Sequence, residues 1–200
     1  MDIISELNGK RILIWGYGRE GKATEHFLQR CVKPASVDIF EGKKEEIDED
    51  DYDFIIKSPG IVMNEENPKY TSETELFLQQ FRDQVIGITG TKGKSTTSAM
   101  LYTVLKACSS RPVLLLGNIG QPCLDYFEEV TEDTIIVYEM SCHQLAHTNV
   151  SPHIAIFLNL YEEHLDYYGT VEKYFEAKSH IAAYQKSGDY SVSYTHLRAH

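Results

Sequence analysis

A glycine-rich segment that ends in Gly-Lys-Ser points most directly to chemistry. An apolar run, residues 85–88, leads into Gly90-Thr91-Lys92-Gly93-Lys94-Ser95-Thr96, and a helical pattern follows. Backbone N–H groups of such a turn bind phosphate oxygens, the lysine adds positive charge, and the serine hydroxyl can ligate Mg²⁺. The standard Gly-x-x-x-x-Gly-Lys spacing needs glycine where Ile88 stands, so this is a shorter variant. The segment predicts a nucleoside triphosphate site; the alternative is a chance glycine turn before a helix.

Further polar residues in the same half lie where strands and helices are expected. Glu139 directly follows an apolar run and could ligate Mg²⁺, although an ordinary strand-end glutamate is the alternative. Imidazole is an unusual magnesium ligand. Spacing alone therefore favours a metal-binding role for His164 no more than a role as a surface or capping residue. Lys178, taken alone, is expected to be a solvated helix lysine. Cys142 and His143 are neighbours whose side chains usually diverge, so no cysteine–histidine nucleophile pair is expected.

The N-terminal half carries a second glycine pattern. Gly16-x-Gly18-x-x-Gly21 follows the apolar run Arg11–Trp15, and Glu41 stands twenty residues after Gly21. This is the form of the dinucleotide fingerprint, in which the acid holds a ribose hydroxyl. It predicts a phosphate or uridine-type ligand at a helix N-terminus. A tight turn with only a packing role is the alternative.

The alternation of apolar strands and helical patterns predicts an α/β fold with two parallel sheets. A Rossmann-like first domain is expected over residues 1–84 and a P-loop domain over 85–190. The predicted strands are 11–15, 36–40, 52–56, 85–88, 112–116, 134–138 and 153–158, and the predicted helices are 22–31, 73–81, 94–108 and 171–184. The helix 94–108 is expected to bury an apolar face of Met100, Leu101, Val104, Leu105 and Cys108.

The last residues are expected to differ from the rest. The segment 191–200 is short and polar and ends abruptly, which suggests a truncated or non-native tail. A genuine strand is the alternative. His196 and His200 therefore receive no functional role.

Composition excludes several classes of function. The 200 residues carry a net charge of −11, which argues against nucleic acid or an anionic membrane as a partner. No apolar run approaches the roughly 18 residues of a membrane span. The N-terminus has no export signal, and four scattered cysteines without CxxC spacing favour reduced thiols in the cytoplasm.

Three ordered motifs together resemble the ATP-dependent Mur ligases of peptidoglycan synthesis. The first is the phosphate loop, where Lys92 replaces the family's usual asparagine. The second is Tyr138-Glu139-Met140-Ser141-Cys142-His143-Gln144-Leu145, and the third runs from His164-Leu165-Asp166 to Tyr174 and Ala177-Lys178. In the N-terminal half, the glycine pattern and Ser58-Pro59-Gly60-Ile61 resemble the members that add D-glutamate to UDP-N-acetylmuramoyl-L-alanine. So does Gly117-Asn118-Ile119-Gly120, further along the chain.

This resemblance implies a set of roles. ATP and two Mg²⁺ ions are the implied cofactors, and a monomer is the expected state. Lys94, Glu139, His164 and Lys178 are the implied catalytic residues; Ser95, Glu139, His164 and a carbamylated Lys178 are the implied metal ligands. The implied nucleotide-binding residues are Gly90, Thr91, Lys92, Gly93, Lys94, Ser95 and Thr96. The implied UDP-substrate residues are Gly16, Gly18, Arg19, Gly21, Glu41, Ser58, Pro59, Gly60 and Asn118.

The family also has a C-terminal domain, whereas this sequence ends within the central one. The resemblance therefore predicts that this chain binds the UDP substrate but does not complete the reaction alone. The alternatives are an alanine-adding Mur ligase, a folylpolyglutamate synthetase, a nicotinamide-dependent oxidoreductase and a non-catalytic UDP-sugar-binding fragment. The synthetase lacks the first glycine pattern, and the oxidoreductase leaves the phosphate loop and Glu139 unexplained.

Overall fold

Two parallel β-sheets with flanking helices make up the computed structural model, which describes residues 2–62 and 67–193. The helices are α1 (Ile3–Leu7), α2 (Arg19–Cys31), α3 (Glu73–Phe81), α4 (Lys94–Cys108), α5 (Cys142–Leu145), α6 (Leu165–Tyr168) and α7 (Val171–Ala183). The strands are β1 (Arg11–Trp15), β2 (Ser36–Phe40), β3 (Phe54–Lys57), β4 (Tyr70–Thr71), β5 (Val85–Thr89), β6 (Val113–Gly117), β7 (Ile135–Glu139), β8 (Ile154–Phe157) and β9 (Tyr190–Ser193). Short 3₁₀ turns occupy Lys44–Glu46, Glu49–Asp51, Arg82–Gln84 and Leu124–Glu129.

The chain divides into two compact units, residues 1–80 with 122–128 and residues 81–121 with 129–200. The predicted α/β fold with two parallel sheets is confirmed. The domain boundaries expected after residues 84 and 190 remain predictions.

The sheet of the first unit has the order β2–β1–β3–β4, with parallel pairing throughout its described strands. The apolar run of β1 is buried on both faces: Ile12 and Ile14 alternate with Leu13 and Trp15. Helix α2 buries Phe27 and Leu28, and each such buried side chain contributes on the order of 1.5–3 kcal/mol. Helix α2 begins at Arg19, earlier than predicted, because Gly18 has extended backbone and acts as its N-cap. The glycine turn after β1 therefore lies at the carboxyl edge, where strand order reverses between β1 and β3.

The sheet of the second unit has the order β6–β7–β5–β8–β9, again parallel. The central strand β5 lies between β7 and β8, so the turns after these three strands meet at one edge. Strand β9 covers Tyr190–Ser193. For the described residues 191–193, the structure thus has the strand that the sequence analysis gave as the alternative to a non-native tail. Residues 194–200, with His196 and His200, lie outside the described residues.

The predicted apolar face of α4 is wrong at three of its five residues, whereas Leu101 and Leu105 are half-buried. Met100 is 64% and Val104 57% exposed, Cys108 is also exposed, and the buried residue of this helix is Ser98. The Lys94 amine, at the start of the helix, turns back to the loop carbonyls. Ser98 lies one turn later and is buried, whereas Met100 and Val104 lie on another face of the helix and are exposed.

Within residues 2–62 and 67–193, no helix combines the length and apolar character needed to cross a membrane.

Candidate functional site

The loop between β5 and α4 has the geometry of an anion site. Gly93, the N-cap of α4, has φ 82°, a left-handed conformation that glycine adopts without strain. Ser95 and Thr96 follow in the exposed first turn, which carries no acidic side chain. The positive end of a fifteen-residue helix therefore faces solvent beside this loop without a neutralising carboxylate.

Two lysines converge on the carbonyl oxygen of Gly90. Lys94 Nζ donates to it across 2.9 Å and also to the Thr91 carbonyl across 3.0 Å. Lys178 Nζ, from α7, donates to the same Gly90 oxygen across 2.9 Å. Lys178 is only 1% exposed, so its prediction as a solvated helix lysine is wrong.

Burial is the main reason that the pKa of Lys178 falls to about 8. The nearby charge of Lys94 lowers this pKa further, whereas Cys142 and Glu163 act in the opposite direction. The amine also lies 4.8 Å from the centre of the Tyr174 ring, which attracts its charged form. A substantial fraction of Lys178 is therefore neutral just above neutral pH.

Glu139, the last residue of β7, is fully buried. Its Oε1 accepts a hydrogen bond from Asn118 Nδ2 across 2.8 Å, whereas its Oε2 is buried without a partner. Asn118 is held in place by its own backbone N–H, which donates to the Glu139 carbonyl across 2.9 Å. An unpaired buried carboxylate oxygen is costly, and a bound cation would satisfy it. Glu139 therefore fits the predicted magnesium site.

His164 stands in a loop with unusual backbone, at φ 56°. Its ring packs 5.2 Å from that of His143 and 5.9 Å from that of Tyr174. Among the described residues, no three His, Cys, Asp or Glu side chains are grouped to hold a metal. A cation at Glu139 would thus need the Ser95 hydroxyl, water or phosphate oxygens as further ligands, which is the usual manner of Mg²⁺.

The glycine turn of the first unit is held by the segment after β3. Gly16 has φ 91°, its N–H donates to the Phe40 carbonyl across 2.8 Å, and its carbonyl accepts from Ser58 Oγ across 3.0 Å. Gly18 and Arg19 begin α2, and Gly21 is buried in its first turn. The remaining predicted UDP-site residues, Glu41, Pro59 and Gly60, follow β2 and β3 at the same edge.

With these two edges described, the comparison with protein families is decisive. The model of the Mur ligase middle domain matches residues 88–196. The chain belongs to the Mur ligase family.

Curated relatives match this Mur ligase chain over both units. A protein of Clostridium kluyveri named UDP-N-acetylmuramoylalanine–D-glutamate ligase is 36% identical over 82% of this chain and 38% of its own length. Proteins of the same name from Oenococcus oeni and Bacillus thuringiensis are 31% and 30% identical over 92% and 96% of this chain, and 45% and 49% of their own. The chain thus spans less than half the length of these relatives.

A solved structure supports the fold of this Mur ligase chain. The MurF ligase of Thermotoga maritima, crystallised in complex with ADP, aligns with a TM-score of 0.51 over 98% of this chain and 46% of that one. At 20% identity the likeness concerns the fold alone.

Sequence reasoning gave no role to Asn159 and Tyr161, which brace the phosphate loop of this Mur ligase chain. Asn159, just after β8, accepts from the Lys92 N–H through Oδ1 and donates to the Lys92 carbonyl through Nδ2, both across 2.9 Å. Thr91 Oγ1 lies 3.2 Å from Tyr174 Oη and accepts from the Tyr161 N–H across 2.9 Å. A polar residue at the end of a strand was the available signal for Asn159.

One charged contact involves the phosphate loop itself. Lys92 forms an ion pair with Glu163, and the hydrogen bond from this lysine holds the pKa of Glu163 below its usual value.

Cys142 Sγ lies 3.6 Å from His143 Nδ1, so the expectation that these side chains diverge is wrong. Both residues lie in the first turn of the four-residue helix α5. Cys142 is only 3% exposed, which does not suit a nucleophile that must reach substrate.

Proposed function

We propose that this chain carries the UDP-substrate-binding and ATP-binding parts of a ligase that joins D-glutamate to UDP-N-acetylmuramoyl-L-alanine. In this reaction, the γ-phosphoryl group of ATP passes to the substrate carboxylate, and the amine of D-glutamate then displaces phosphate to form the amide. The observation that carries the proposal is the buried, unpaired Glu139 carboxylate oxygen in the sheet whose central strand leads into the phosphate loop. The names of the relatives supply the substrate.

The phosphate loop supplies positioning and charge, which phosphoryl transfer needs more than covalent help. The exposed N-terminus of α4 and the backbone of residues 90–93 would hold the β- and γ-phosphates. Lys94 would leave the Gly90 and Thr91 carbonyls to meet them, because a phosphate oxygen carries more negative charge than a carbonyl.

Ser95 and Glu139 are the residues we propose to hold Mg²⁺, with His164 and Lys178 serving a second ion. Bound Mg²⁺ neutralises charge on the phosphates. Glu139 Oε2 has no other partner to give up, and Asn118 fixes the other oxygen of the same carboxylate.

Lys178 would join such a set as a carbamate. A carbamate forms when a neutral amine attacks CO₂ and releases a proton, which converts a cation into an oxygen ligand. Its burial and a pKa of about 8 favour the neutral amine that this step requires. Exposure to ¹³C-labelled bicarbonate should yield one carbamate carbon signal, absent in Lys178→Met. A spectrum without that signal would remove the carbamate from the proposal and leave the rest standing.

In the first unit, Gly16, Gly18, Arg19 and Gly21 would bind the diphosphate at the N-terminus of α2. Glu41 would accept from a ribose hydroxyl, and Ser58, Pro59 and Gly60 would border the uridine. Asn118, in the second unit, is proposed for the muramoyl part. All four cysteines are free thiols, and ATP is consumed, so the cytoplasm is the proposed compartment.

Calorimetric titration tests the assignment on the chain itself. UDP-N-acetylmuramoyl-L-alanine is compared with UDP-N-acetylmuramic acid, and ATP is titrated with and without Mg²⁺. Preference for the alanyl form supports the D-glutamate-adding function. Preference for the unsubstituted form would point to an alanine-adding ligase, and a folded chain that binds neither compound would remove the UDP-substrate assignment.

A further inference from the structure

Lys57, the last residue of β3, is a buried amine that the proposed function does not use. It is only 3% exposed, and its Nζ donates to the Ile61 carbonyl across 3.1 Å. Burying an ammonium group is costly, and an apolar side chain of similar length would fill the same space without that cost. The amine therefore calls for an explanation beyond packing.

The contact partner of Lys57 closes a turn. The Ile61 N–H donates to the Ser58 carbonyl across 3.1 Å, and the Ser58 N–H donates to the Trp15 carbonyl, at the end of β1, across 2.8 Å. The four residues Ser58 to Ile61 thus form a turn tied to β1 at its start and to Lys57 at its end. Without the amine, the Ile61 carbonyl would lose this bond in a half-buried position.

The side chains at both ends of this turn, Ser58 and Ile61, lie close to Gly16. A Cβ atom added to Gly16 would lie 2.6 Å from Ser58 Oγ and 3.2 Å from Ile61 Cδ1. The Gly16 carbonyl also accepts from Ser58 Oγ. Because this hydrogen bond joins the two turns and no side chain fits at Gly16, we expect a shift of the Ser58–Ile61 turn to shift the glycine turn that opens α2.

A carboxylate of α2 acts on Lys57, and a carboxyl group of α3 interacts with that carboxylate. Glu20, in the first turn of α2, raises the lysine pKa, but burial outweighs it and the pKa falls to about 8. Glu73, in the first turn of α3, is buried, and burial together with the charge of Glu20 holds its pKa well above the usual value. Glu20 is therefore the carboxylate that acts on Lys57.

We propose that Lys57 is a positioning residue for the diphosphate site: by holding the Ile61 carbonyl, it keeps the Ser58–Ile61 turn against Gly16 in the geometry that binds ligand. This inference rests on the proposed UDP site in the first unit. It adds a residue that does not itself touch the ligand.

The test uses Lys57→Met, with the exposed Lys33→Met of the same unit as a matched control. UDP is the probe, titrated calorimetrically at neutral pH, and ATP binding in the second unit is the internal reference. Lys57→Met should bind UDP about tenfold more weakly, since a lost hydrogen bond to a charged group is worth roughly 1.5 kcal/mol or more. Its ATP affinity and thermal midpoint should stay at or above those of Lys33→Met, and amide exchange at Ile61 should accelerate.

A pH profile separates positioning from mere stability. UDP affinity of the wild type should fall as Lys57 loses its proton between about pH 7 and 9, because the neutral amine donates a weaker hydrogen bond to the Ile61 carbonyl. Lys57→Met should lack that dependence. Equal UDP affinity and equal Ile61 exchange in the two variants would overturn the proposal. If Lys57→Met does not fold, a flat wild-type profile would overturn it instead. A wild type that binds no UDP would refute the proposed site, whereas Ile61 exchange would still report on the turn.

Discussion

The side-chain amines of Lys94 and Lys178 donate to one acceptor, the carbonyl oxygen of Gly90, each across 2.9 Å. Two amines thus share one neutral oxygen, and the charge of Lys94 helps to lower the pKa of Lys178. A phosphate or a carbamate at this point would relieve the repulsion between the amines. The loop is therefore arranged to take up negative charge.

The buried amine of Lys178 predicts a pH-dependent stability. Its pKa is about 8 in the folded chain and 10.5 ordinarily, so between these values the unfolded chain binds more protons. The penalty for burying the charge is complete below pH 8 and is relieved as the pH rises towards 10.5. Denaturant unfolding from pH 7 to 10 should show a rise in wild-type stability relative to Lys178→Met.

The exposed Lys173→Met, on the same helix, controls for the loss of one charge. The stability difference between Lys173→Met and wild type should stay constant over this range. A constant difference for Lys178→Met as well would show that Lys178 titrates normally.

Glu139→Gln should separate stability from function. The substitution removes a buried negative charge and places an amide group where Oε2 had no partner, while the amide oxygen can still accept from Asn118. We expect the free energy of unfolding to rise by about 1 kcal/mol and the Mg²⁺ dependence of ATP binding to disappear. Calorimetry of ATP with and without Mg²⁺ measures the second effect, and the exposed Glu132→Gln is the control. A destabilised variant that keeps its Mg²⁺ dependence would assign Glu139 a structural role.

Much of the fold could be predicted from local patterns. The apolar runs of β1 and β2 match the observed strands at both ends. Parallel strands bring their carboxyl ends together, so the placement of Asn118 beside Glu139 also follows from strand order. The strands could be predicted because they depend on residues close in sequence. The meeting of Asn118 and Glu139 could be predicted because parallel strands all end at the same edge of the sheet.

What could not be predicted depends on contacts between distant residues. The burial of Lys178 follows from packing of α7 against a loop 88 residues earlier, and nothing in the local sequence marks it. The exposure of Met100 and Val104 depends on how α4 packs within the second unit, which their apolar spacing does not show. The role of Asn159 likewise needs the backbone of Lys92, 67 residues away.

The ion pairs of Asp189 with Arg82 and His153, directly before β9, should weaken in acid. Burial tends to raise its pKa, but hydrogen bonds from the Lys186 N–H, His153 and Arg82 outweigh this and hold the pKa at about 2. The depressed pKa stabilises the fold above about pH 4, and this contribution is lost as the pH falls towards 2. Asp189→Asn should cost about 3 kcal/mol at neutral pH and flatten the acid limb of the unfolding profile. The exposed Asp133→Asn should do neither, and an equal loss in both variants would contradict the role of this ion pair.

Asn159→Asp tests the brace of the phosphate loop with minimal change in shape. The carboxylate can still accept from the Lys92 N–H, but an oxygen now faces the Lys92 carbonyl, where Nδ2 donated across 2.9 Å. Loss of one bond and a new repulsion should displace Lys92 and weaken ATP binding at least tenfold, since 1.4 kcal/mol corresponds to tenfold. Asn149→Asp makes the same chemical change at an exposed position of the same unit and should leave ATP affinity within twofold of wild type. Because UDP binding belongs to the first unit, its affinity should be equal in both variants. An Asn159→Asp chain with unchanged ATP affinity would mean that nucleotide binding does not depend on this brace.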